Sequence, residues 1–98
     1  MSTIEVTCTA AGPDGWRCEA VVDDERTAGR HAVTVASVDA ERLAATHDQA
    51  GVERLVYETF AFLLEREPRS SILRSFDLTV VARYFPEFEA EMSHRLAP

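Results

Sequence analysis

Between residues 52 and 67 the apolar positions recur at the period of an α-helix. Laid out at 3.6 residues per turn, Leu55, Phe62, Thr59, Val52, Leu63, Val56 and Phe60 share one face, while Arg54, Ala61, Glu65 and Glu58 fall opposite. This run predicts the core helix, and Pro68, which has no amide hydrogen to donate, predicts its end. The apolar arc spans nearly half the circumference, so the helix needs cover on two sides.

The N-terminal part follows a period of two. Ile4, Val6, Cys8 and Ala10 alternate with Glu5, Thr7 and Thr9; Trp16, Cys18, Ala20 and Val22 alternate with Arg17 and Glu19. The intervening Ala11-Gly12-Pro13-Asp14-Gly15 holds strong turn formers. A five-residue loop pairing Ala10 with Trp16 places Cys8 opposite Cys18 and Val6 opposite Ala20, with both apolar sets on one face. After a turn over residues 23–29, the β-branched run 30–38 predicts a third strand, with Val22 facing His31, Ala20 facing Val33 and Cys18 facing Val35. Ser37 or Asp39 can cap a short connecting helix through Ala45, anchored by Leu43, and Asp48 or Gln49 lies near the start of the core helix.

Beyond Pro68, Ser70 or Ser71 can cap a short turn carrying Ile72, Leu73 and Phe76, and Asp77 can cap a segment beginning at Leu78. Residues 78–85 are β-branched enough for a fourth strand. However, Leu78, Val81, Phe85, Phe88, Met92 and Leu96 recur at intervals of three and four, and helix is the reading adopted. Pro86, Glu87 and Glu89 suit the start of a further helix, in which Glu91 and Arg95 form an i,i+4 pair. The expected fold is α+β in one domain, residues 1–98. It is a three-stranded antiparallel β-meander packed on a long α-helix and followed by C-terminal helices, β-β-β-α-α-α. In order of elements, the β-β-β-α opening resembles that of HicB-type antitoxins and, less closely, double-stranded-RNA-binding domains. The resemblance is topological, covers the first two thirds of the chain and transfers no site residue.

Composition narrows the function more than the fold. With 46% hydrophobic and 28% charged residues, the chain is neither disordered in character nor a membrane protein, and no apolar run reaches the length of a bilayer span. The N-terminus lacks the parts of a secretory signal, so a cytoplasmic location is the expectation. All ten basic residues are Arg, and Lys and Asn are absent, which suggests a bacterial genome rich in G+C. The net charge of −7 argues against nucleic-acid binding over a broad face and would attract a basic protein partner.

Candidate chemistry is sparse. Cys8 and Cys18, side by side in the expected register, are either a redox pair, half of a metal site, or two buried thiols; their apolar flanks favour thiols. His31 on the same face stands about four residues along the sheet from the Cys18 row, on the order of 13 Å and too far to share a metal. No metal-ligand spacing is present and no cofactor is called for. His47 and His94 sit among polar residues and are expected in solvent, as is the acidic turn Asp23-Asp24-Glu25. Glu65, Glu67, Glu87 and Glu91 show no pairing that selects two for acid–base work, and Ser70-Ser71 has no His partner.

Two surface candidates remain. Arg69, Arg74 and Arg83 lie in a stretch, residues 66–83, with four Arg against two acids, and could meet an anion or a partner. Tyr84, Phe85, Phe88 and Met92 could form a dimer interface. The Thr-rich strand over residues 3–9 is an edge without Lys or Pro to block pairing. These features favour a small non-enzymatic interaction or regulatory protein, acting as a homodimer or as the acidic partner of another protein. The alternative is a small-molecule or anion binder, or minor enzyme, with a pocket between the sheet and the C-terminal helices.

Overall fold

The computed structural model describes residues 2–23 and 27–97. The sheet has four strands in the order β1-β2-β3-β4: β1 (Thr3–Ala10), β2 (Gly15–Asp23), β3 (Ala28–Ala36) and β4 (Ser75–Asp77). Helices α1 (Ser37–Ala44) and α2 (Gln49–Leu64) connect β3 to β4, and α3 (Val80–Tyr84) and α4 (Phe88–Arg95) complete the chain. The architecture is α+β, as expected, with two differences in the sheet: it has a fourth strand, β4, where three were expected, and its pairing is not all antiparallel. β4 pairs with β3 in parallel, Val33 beside Phe76. Three residues are too few to show a period, and β4 is held instead by its neighbours. The Ala32 N–H donates to the Arg74 carbonyl (2.7 Å) and the Leu78 N–H to the Thr34 carbonyl (2.9 Å).

The β1–β2 register is the expected one, with Ala10 opposite Trp16, Cys8 opposite Cys18 and Val6 opposite Ala20. The β2–β3 register is two residues away from expectation. Ala20 faces His31, Cys18 faces Val33 and Trp16 faces Val35. A slip of two leaves every side chain on its own face, so the apolar pattern cannot distinguish the two registers. Asp24 and Glu25 of the expected acidic turn, together with Arg26, lie outside the described residues.

Cys8 and Cys18 are buried, as expected, but they are joined by a disulfide rather than left as thiols. Register explains the encounter. The Cys8 N–H donates to Glu53 Oε2 (2.8 Å), and Gln49 Nε2 donates to the Cys8 carbonyl (2.8 Å). The backbone of Cys8 therefore turns away from β2, which makes Cys8–Cys18 a non-hydrogen-bonded pair, the kind whose side chains lie closest.

All seven residues assigned to the apolar face of α2 are buried. Asp48 caps the helix by accepting from the Gly51 N–H (2.7 Å). The one polar side chain on that face, Thr59, donates its hydroxyl to the Leu55 carbonyl (2.8 Å) and is satisfied within the helix. The helix is covered by the sheet, by α4 and by the connecting helix α1. Phe62 meets Phe85 (5.7 Å between centroids) and Phe88 (5.4 Å) edge-on. Arg66 lies 3.6 Å over the Phe62 ring. Arg95 ties α4 to the end of α2 through both Glu65 oxygens (2.7 and 2.8 Å) and to Glu91 (3.0 Å).

Candidate functional site

An open apolar groove forms where the chain leaves α2 and returns to the sheet. After Leu64, residues 65–68 turn the chain into a 3₁₀ turn, Arg69–Ser71, with Pro68 at its start. The following segment reaches β4, and the short helix α3 then lies beside it. The residue before Pro86, Phe85, is held out of the helical region (φ −129°, ψ 89°), which ends α3 after little more than one turn. The space left between these elements is a groove of about 370 Å³. Leu63 and Glu67 line it from the end of α2, Ile72, Leu73 and Phe76 from the return segment, and Val80, Val81, Tyr84 and Phe85 from α3. Leu73 (50%) and Tyr84 (69%) are exposed, and both line the groove.

Two polar anchors fix its walls. His31, buried on β3, donates from Nδ1 to the Leu73 carbonyl (2.8 Å), and its ring meets that of Phe60 at a tilt, 5.3 Å between centroids. This bond ties the groove segment to the sheet, while His31 Nε2 is buried without a partner among the described residues. Asp77, expected as a cap, accepts from the Thr79 hydroxyl (2.6 Å) and N–H (3.1 Å) and from the Thr34 hydroxyl (2.7 Å). Burial raises the Asp77 pKa, but the hydrogen bonds from Thr79 and Thr34 outweigh it and hold the carboxyl below its ordinary value near 3.8. A carboxylate depressed in this way adds stability above its unfolded-state pKa and loses that contribution as pH falls through the folded value. Asp77→Asn keeps an acceptor but cannot titrate. Its unfolding free energy, measured by urea titration between pH 5 and pH 2, is therefore expected to fall less steeply than that of the wild type below about pH 4. Equal slopes would contradict the role given to Asp77.

The anion candidates do not gather. Arg69 donates to the Thr27 hydroxyl (2.6 Å) and packs over Gly29, against the end of β3. Arg74 and Arg83 are exposed, and none of the three Arg lines the groove. The aromatic candidates divide. Phe88 (1%) and Met92 (0%) face α2 in the core and are removed from any interface; Phe85 is partly buried and Tyr84 is exposed. Glu87 and Glu91 are also committed within the chain, to Arg66 (3.4 Å) and Arg95 (3.0 Å), so reversing their charge would disturb α4 itself. The β1 edge is closed at Cys8 by Gln49 and Glu53. His47 and His94 are exposed. A second recess, about 290 Å³, lies between the 11–15 loop, Trp16, Ser37 and His47. Among the described residues, no group of three or more His, Cys, Asp or Glu could hold a metal ion, and no helix is long and apolar enough to cross a membrane.

The sequence suggests a pocket between the sheet and the C-terminal helices but not its walls, which come from the end of one helix, a three-residue strand and a five-residue helix. Comparison with known protein families, with curated proteins and with solved structures gives no match.

Proposed function

We propose that this chain is a small interaction module that works by receiving part of another polypeptide in the α2–β4–α3 groove. The observation that carries this reading is the exposure of Leu73 and Tyr84 beside an open apolar groove, since large apolar side chains grouped at a concave surface mark contact sites more often than chance exposure does. Only Glu67 and Tyr84 among the lining residues ionise, a composition suited to an apolar anchor with one polar contact. A small apolar ligand is the second reading, favoured by a volume within the range of small-molecule sites.

Cross-linking separates the two. A photoreactive benzophenone amino acid in place of Leu73, expressed in the native host and irradiated, is expected to give an adduct of polypeptide mass. No polypeptide adduct from a folded protein would overturn the proposal, and a small added mass would establish the second reading in its place.

A further inference from the structure

We infer that the polypeptide received by the groove is a second copy of this chain, in a two-fold dimer where each Tyr84 ring enters the other copy's groove and its hydroxyl donates to the other copy's Glu67. This rests on the groove reading above and names its occupant. A two-fold interface sets one patch against itself, so the patch must carry both a projection and a matching recess. Tyr84 and the groove meet that requirement. The side chain is 69% exposed at the end of α3, and it lines the recess that its counterpart would enter.

The polar groups fit the same arrangement. Among the described residues, Glu67 is the only carboxylate on the groove wall, and its side chain has no hydrogen bond or ion pair. A Tyr hydroxyl entering an apolar recess needs an acceptor, and Glu67 supplies one. Arg74 and Arg83 follow Leu73 and precede Tyr84 in the chain; both are exposed and have no ion-pair partner among the described residues. Charge without an ion-pair partner among the described residues thus stands on the groove wall at Glu67 and, with the opposite sign, at the sequence neighbours of two lining residues. A uniformly basic or uniformly acidic partner would leave one sign unanswered, whereas a second copy brings both.

Sedimentation velocity on the full chain, up to about 1 mM, tests the inference. The wild type is expected to shift with concentration toward twice the 10.9 kDa chain mass. Tyr84→Ala should weaken association at least about 100-fold, as loss of a central aromatic anchor does. Tyr84→Phe keeps the ring and should weaken it about tenfold or more. Combined with Glu67→Gln, Tyr84→Phe should show strong non-additivity, because the two side chains share one contact. Arg17→Ala, on the exposed sheet face, should leave association unchanged. Additive effects of Tyr84→Phe and Glu67→Gln would overturn the pairing. A wild type that stays monomeric throughout would overturn the dimer. In that case the Leu73 cross-link decides the broader reading: an adduct with a different polypeptide retains the groove as a docking site, and no adduct removes both.

Discussion

Phe62→Ala is expected to destabilise the fold by about 3–5 kcal/mol, the largest effect of any single substitution proposed. Phe62 is fully buried, packs edge-on against Phe85 and Phe88, and carries the Arg66 guanidinium on its ring. Truncation would empty the junction where α2, α3 and α4 meet, and would strip Arg66 of the surface it covers. A domain of this size has roughly 5–15 kcal/mol in all, so the variant should lose a large share of its stability and melt well over 10 °C lower. Phe62→Leu, which keeps most of the volume, should cost much less. Urea unfolding of both variants checks the expectation. A loss below about 1 kcal/mol for the alanine variant would mean that α4 does not lean on this ring.

Reduction of the Cys8–Cys18 disulfide is the second large effect, about 2–3 kcal/mol from the freedom returned to the unfolded chain by opening a loop with a sequence separation of 10. Melting with and without a dithiol reductant should show a decrease of about 10 °C or more. Native thiol titration should find no reactive sulfur, because both cysteines are buried and bonded to each other. Two free thiols after denaturation without reductant would contradict the bond.

How much of this was legible depends on whether a feature is local. The α2 face could be read completely, because seven residues at one period overdetermine a helix. The β1–β2 hairpin could be read to the residue, since a short loop leaves little choice of register, and the meeting of Cys8 and Cys18 followed from it. Their oxidation did not follow, because small buried thiols and a buried disulfide leave the same apolar pattern. The β2–β3 register failed for the symmetry of the pattern itself. The dimer candidates failed in part because helical spacing says which residues share a face and not what covers it. Phe88 and Met92 meet α2, while Tyr84, at the end of a helix cut short before Pro86, is left outside. The groove and the capture of Cys8 by Gln49 and Glu53 are products of tertiary arrangement alone, between residues 41 and 45 positions apart.

The measurement that bears most directly on the groove as a contact surface is the methyl spectrum of the isotope-labelled full chain, recorded from high concentration through serial dilution. Leu73, Val80 and Val81 line the groove, whereas Val38 is 68% exposed on α1, which contributes nothing to it. The groove methyls are expected to move with concentration while those of Val38 stay fixed. Movement of Val38 with a silent groove would contradict the assignment and place self-association on another face.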